Sequence, residues 1–177
     1  WDPINKEYRE MELTSKGKNN FKNFLEFSMI SNTTVSVSTS GENGSVRASL
    51  SYLYDKNQYP NTHKNKFWYN IGGDLKLGKK ASLEGNLNFT HESAPNTAGY
   101  GYGTGYMYNI LMWTGPEYDL REYKDYWLIP NEKQNWHYTD WYDNPYFEAY
   151  EKIKAINNFT TNGSLSFKYE ILPWLKL

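Results

Sequence analysis

The chain contains no cysteine, which excludes a disulfide framework and a thiolate metal site. It has no long apolar run and a negative mean hydropathy, so no helical membrane span is readable in it. Charge of one sign is missing too: 19 Lys and Arg stand against 20 Asp and Glu. A nucleic-acid footprint needs concentrated positive charge, so no nucleic-acid partner is expected. No charged-then-apolar leader precedes the opening Trp1, so no signal peptide is visible. The closing run Trp174-Leu175-Lys176-Leu177 is still alternating at its last residue. Both ends therefore read as cut, and the chain as a fragment of something longer. What is abundant is aromatic: 17 Tyr, 7 Trp and 8 Phe among 177 residues.

The clearest pattern runs from Phe67 to His91. At period two, Phe67, Tyr69, Ile71, Leu75 and Leu77 fall on one face and Trp68, Asn70, Asp74 and Lys76 on the other. After Gly78-Lys79-Lys80 the pattern resumes, with Ala81, Leu83, Leu87 and Phe89 opposing Ser82, Glu84, Asn86, Asn88 and Thr90. Alternation of this length predicts strands with one apolar and one polar face. Arms of about ten residues at ~3.3 Å each, tilted ~45°, span a ~25 Å apolar band. Thr33–Thr39, Ser45–Tyr54 and Phe159–Tyr169 alternate in the same way. Short connections (Gly41–Gly44, Gly78–Lys80, Glu170–Pro173) take turns with long ones (Asp55–Asn65, Glu92–Lys152). Aromatics on the apolar face gather at both strand ends. The expectation is an all-β, antiparallel up-and-down transmembrane barrel segment with short periplasmic turns, long extracellular loops and an outer-membrane location.

In that reading the apolar face meets lipid, and Arg47, Asp74, Lys76, Glu84, Asn86, Asn88 and Lys168 line a wet lumen. Each charge would cost ~2–4 kcal/mol at the midplane of the lipid face. The alternative is a soluble or surface β-protein, with Ile71, Leu83, Leu87 and Leu165 packed inside and carbohydrate bound through an aromatic loop.

The expected organisation is a loop segment over 1–32, barrel strands over 33–91, a long extracellular loop over 92–152 and further strands over 153–177. In the first segment Asn20–Phe27 suits a short amphipathic helix, or a loop docking its aromatics. The 92–152 stretch has about sixty residues where connections usually have ~4–6, and its aromatic density argues for order. Trp113, Tyr118, Tyr126, Trp127, Trp136, Trp141 and Tyr146 are its candidates for ligand or partner contact, because flat amphipathic rings give large contact area at small entropic cost. The competing reading of the same rings is internal packing.

Asp119, Glu122, Asp125, Asp140 and Asp143 lie among these tryptophans, the composition of a glycosidase cleft, yet no spacing selects an acid pair. His63, His91 and His137 lack ligand spacing, and the glycine-tyrosine run Gly99–Gly105 fits no phosphate-binding motif. No catalytic residue, metal or cofactor is expected.

Several stretches, in order, resemble the SusC/RagA group of TonB-dependent outer-membrane transporters of Bacteroidota. Asn20-Phe21-Lys22-Asn23-Phe24-Leu25 resembles the family's Asn-rich segment ending in paired aromatics, with Leu25 in place of the second. Thr34-Val35-Ser36-Val37-Ser38 followed by Gly41 is similar to its strand-and-turn signature, without the double glycine. Gly105–Leu111, Tyr123–Trp127, Asn144-Pro145-Tyr146-Phe147 and Leu165–Leu177 resemble later family motifs. The resemblance implies a barrel of about 22 strands, a plug domain, and coupling to TonB through a region absent from this chain. It further implies a SusD-like lipoprotein partner and a glycan or oligopeptide as imported ligand.

Overall fold

The structure is a computed structural model and describes residues 5–10, 12, 14–99, 101, 105–138, 141–172 and 174–176. In chain order the elements begin with helix α1 (Asn20–Phe24) and strands β1 (Met29–Gly41), β2 (Gly44–Lys56), β3 (His63–Leu77) and β4 (Ala81–Asn96). Helix α2 (Tyr106–Met112), a 3-10 turn (Leu120–Tyr123), β5 (Trp127–Ile129), β6 (Lys133–Gln134) and helix α3 (Pro145–Tyr150) follow. The last strands are β7 (Ile156–Leu172) and β8 (Leu175–Lys176). None of the helices among the described residues is long and apolar enough to cross a membrane.

These elements form two compact units. One comprises 27–58, 62–97 and 154–177. It is a six-stranded antiparallel sheet in the order β1-β2-β3-β4-β7-β8. Every alternating stretch of the sequence became a strand, because residues pointing to the same side of the pleat are of one kind and pair with their like. The row Val37–Ala48–Ile71–Leu87–Gly163 runs across five strands on one face, next to the row Val35–Leu50–Tyr69–Phe89–Thr161. On the reverse lie Ser36–Ser49–Asn70–Asn88–Asn162 and Ser38–Arg47–Gly72–Asn86–Ser164. The turn Gly78-Lys79-Lys80 works because Gly78 sits at φ 76°, a region that penalises any side chain.

The strands extend beyond the alternating cores. Met29–Asn32 belong to β1 and pair with Lys56–Leu53, and Glu92–Asn96 belong to β4, so the segment boundaries at 32 and 92 fall inside strands. Glu170–Leu172 likewise end β7 rather than making a turn, while Pro173 lies outside the described residues. Backbone hydrogen bonds propagate a ladder without needing side-chain alternation, so polar flanks are drawn in.

The apolar face is not a core. Ile71 is 52% exposed, Leu87 48% and Leu165 75%, and Leu83 is half-buried. The dry interior that a soluble sandwich requires is therefore absent among the described residues. Aromatic rings are concentrated towards the long-connection end of this face. Tyr52 stacks on Phe67 at 4.5 Å and His91 on Phe159 at 4.3 Å, with Tyr69, Phe89 and Phe159 linked at 5.9 and 6.2 Å. At the other end stand Phe167, Tyr169 and the exposed Trp174.

The second unit comprises 1–26, 59–61 and 98–153. It has a core of its own, built on Phe24, Tyr106, Ile110, Leu120, Trp136, Tyr146 and Ala149. Phe24 is the pivot, 5.0 Å from the rings of both Tyr106 and Tyr146. The segment Asn20–Phe24 is indeed helical, and its apolar side reaches this core, although Phe27 is left exposed.

Candidate functional site

The polar face of the sheet brings the seven expected polar and charged residues together on one side. Asp74 stands directly opposite Glu84, and Arg47 opposite Gly72, which in turn faces Asn86. Lys76 and Lys168 flank Ser82 in one row. Like charges directly across a ladder repel, and the neighbours relieve this. Ser45 donates its hydroxyl to Asp74, and Lys168 Nζ donates to Glu84 at 3.1 Å. Asn86 donates to Ser164 at 2.8 Å, and Asn70 to Ser49 at 3.3 Å. Ser45, Arg47, Ser49, Asn70, Asp74, Glu84, Asn86 and Asn88, over a floor of Gly72, Gly73 and Gly85, bound an open depression of about 550 Å³.

The aromatic unit divides its seven candidates. Trp136 and Tyr146 are buried in the core, and burial pushes the Tyr146 hydroxyl up to about 12. Tyr118 lies flat on His137 at 3.9 Å. Tyr126 donates to Glu151 Oε1 at 2.9 Å and stacks on Tyr150, and Trp127 meets the edge of Phe147 at 5.2 Å. Trp113, 43% exposed, packs against Tyr138 and Tyr142. Trp141 is the most open, at 76%.

What holds this unit was not visible in the sequence: buried asparagines that stitch backbone to backbone. Asn144 is fully buried; its Oδ1 accepts from the Tyr146 amide at 2.8 Å, capping α3, and its Nδ2 donates to the carbonyls of Tyr123 and Asn135. Asn20 reads both polarities at once, donating to Tyr118 O at 2.7 Å and accepting from Leu120 N at 2.9 Å. Asn109 donates to Asp143 O at 2.7 Å. Buried backbone groups must be paired, and here side chains do what a ladder would otherwise do.

Two of the loop carboxylates, Asp119 and Asp143, are absorbed into this scaffold. Asp119 caps the 3-10 turn and binds Arg121 at 2.5 Å; that hydrogen bond holds its carboxyl below the usual range. Asp143 accepts from Gln134 at 2.6 Å and from Lys152. Desolvation pulls the Lys152 ammonium down, but Asp143 and Glu148 outweigh it and raise it. Asp140, and Tyr100 and Tyr102–Thr104 of the glycine-tyrosine run, lie outside the described residues. Among the described residues no three metal-ligating side chains stand together. No protein-family model matches the chain, and neither does any curated protein.

Proposed function

We propose that the sheet is part of the wall of an outer-membrane β-barrel and that the chain belongs to a SusC/RagA-type, TonB-dependent importer of glycans or oligopeptides. The observation that carries this reading is the partition of charge between the two faces. From the Thr33–Tyr52–Phe67–His91–Phe159 row to the Leu77–Ala81–Tyr169 row, the apolar face holds no Asp, Glu, Lys or Arg. The same rows on the reverse hold Arg47, Asp74, Lys76, Glu84 and Lys168. Phe67 to Leu77 covers about 33 Å of strand, or ~23–25 Å when tilted ~45°, the height of a bilayer-facing band. Hydrocarbon is the solvent that makes an exposed apolar face favourable, and a lumen the one that suits the other side.

In this reading the sheet supplies barrel wall, and the aromatic unit lies outside the cell, where a SusD-like lipoprotein lid and the ligand approach. Exposed Trp141 and Trp113 suit such contact, while Trp136 and Tyr146 serve the core. Energy comes through TonB, which engages a region outside this chain, and no catalytic step or cofactor is involved. The test is fractionation of the native host, followed by unheated and heated electrophoresis of the extracted protein. Outer-membrane recovery with a heat-dependent mobility shift is expected; recovery as a detergent-free soluble protein would refute the proposal.

A further inference from the structure

Among the described residues, Trp68 is the one aromatic side chain on the polar face of β1 to β4 and β7. Its row reads Thr34–Ser51–Trp68–Thr90–Thr160, and the next row towards the short turns is built of Ser and Asn alone. The indole therefore belongs neither to the aromatic ends of the apolar face nor to the core of the aromatic unit. A large apolar ring set among hydroxyls on a wet wall costs free energy, and the partition of the two faces does not account for it.

The ring is half-buried and lies against the wall. Ser51, directly opposite, is only 3% exposed although its row holds no other large side chain, so the indole covers it. On its other side Ser51 shares a hydrogen bond with Thr34 at 2.8 Å. A ring laid over its neighbour turns its second face away from the sheet. Lys66 Nζ stands over the ring centre at 5.8 Å, inside cation–π range but beyond the ~3.5–4.0 Å of van der Waals contact, so it does not cap that face. The Lys66 charge is itself met by Glu92 at 3.8 Å.

Beside the ring, its own row and the next carry no charge. Thr90 lies ~5 Å across the ladder and Asn70 ~7 Å along the strand, with Asn88 opposite Asn70. Hydroxyls and amides both donate and accept. A pyranose has the matching pattern, with carbon-bound hydrogens on its face for the electron-rich face of the indole and hydroxyls around its rim. Trp68 is also nine residues from Leu77 at the short-turn end of β3, ~30 Å of strand, and Asp74 and Glu84 lie towards that end. We propose that Trp68 is a stacking site for a neutral saccharide, whose hydroxyls are taken by Asn70, Asn88 and Thr90. The assignment rests on the polar face lining the import path, and within that reading it selects glycan over oligopeptide and neutral over acidic.

The experiment is calorimetric titration of the whole protein, extracted from its own outer membrane, with neutral trisaccharides of glucose, mannose and xylose, and with trigalacturonate and trialanine. A neutral trisaccharide is expected to bind wild type best. Trp68→Ala should weaken that binding about tenfold or more, the loss expected when a stacked ring is removed. Trp68→Tyr, which keeps a flat face, should recover most of the affinity. The emission that wild type has and Trp68→Tyr lacks should shift when that sugar saturates the protein, a change that a purely structural ring would not show. Three results would overturn the site: no neutral sugar bound, neutral-sugar affinity indifferent to Trp68, or trigalacturonate or trialanine bound best and lost in Trp68→Ala. If the import reading itself fails, wild type and variants alike will be missing from the outer membrane; if only the stacking site fails, inserted protein will ignore Trp68.

Discussion

Ile71 and Leu87 face each other across β3 and β4, each about half exposed, with no protein layer over them among the described residues. One residue along, the side chains turn to Asn70 and Asn88 on the reverse. This pair gives the sharpest test of which solvent each face meets. In a bilayer, Ile71→Lys places an ammonium on hydrocarbon at a cost of ~2–4 kcal/mol. Asn162→Lys, on the polar face of β7, meets water and should cost within ~0.5 kcal/mol. Unfolding of the reconstituted protein from lipid vesicles by denaturant should separate the two variants by that margin. In a water-facing sheet both lysines would be tolerated alike.

The sheet was legible because one physical cause, the pleat, writes itself into sequence as period two. Val46, Ala48, Leu50 and Tyr52 need no partner to be recognised as one face. The 98–153 unit carries no such signal. Its order depends on Asn20, Asn109 and Asn144 reaching backbone groups of other segments; Asn20 bonds residues about a hundred positions away. An asparagine in a polar stretch looks the same in sequence whether it caps, bridges or faces water.

Asn144 should be the most sensitive polar position in the aromatic unit. Asn144→Ala removes the α3 cap and strands the carbonyls of Tyr123 and Asn135 in a buried site. A lost cap costs about 1 kcal/mol, and each buried group left unpaired about 1–3 kcal/mol. Asn144→Asp keeps the acceptor but turns a carboxylate towards the two carbonyls, so it should be no better. Thermal melts followed by near-ultraviolet circular dichroism should show both variants well below wild type. A melting temperature unchanged in Asn144→Ala would count against the network.

His137 makes the same unit sensitive to mild acid. Its ring lies between Tyr118 and Trp136, its Nε2 bonds Trp113 O at 3.3 Å, and its Nδ1 is buried with no partner among the described residues. Desolvation lowers its pKa from the usual 6.5, against smaller opposing effects of the Trp113 carbonyl and Glu117. The unfolded chain therefore binds the proton more readily. The stabilisation is full above pH ~6.5 and is lost as pH falls from there through the depressed folded value. Asp119, whose carboxyl is held low by Arg121, acts in the opposite range: its contribution persists above pH ~4 and disappears only in stronger acid. Melting temperature should thus fall between pH 7 and pH 5 in wild type. His137→Phe, which keeps a flat ring on Tyr118, should flatten that slope while leaving the decline below pH 4. An unaltered slope would assign the acid sensitivity to other groups.

Trp136 and Trp141 set the limits of what the aromatic unit spends on itself and what it leaves to others. Trp136 is 7% exposed, edge-on to Tyr123 at 5.1 Å and packed in the core, whereas Trp141 is 76% exposed. Truncating a buried tryptophan to alanine leaves a cavity and costs ~3–5 kcal/mol. Trp136→Phe should recover most of this, because the indole N–H has no partner among the described residues and its removal strands nothing. Trp141→Ala should change stability by no more than ~0.5 kcal/mol. Acrylamide should therefore quench a component of the fluorescence that vanishes in Trp141→Ala and persists in Trp136→Phe. If Trp141 serves a ligand or lid protein, adding that partner protects the same component. Quenching carried instead by Trp136 would mean that the core opens on the timescale of the excited state, which the packing around Phe24 and Tyr146 argues against.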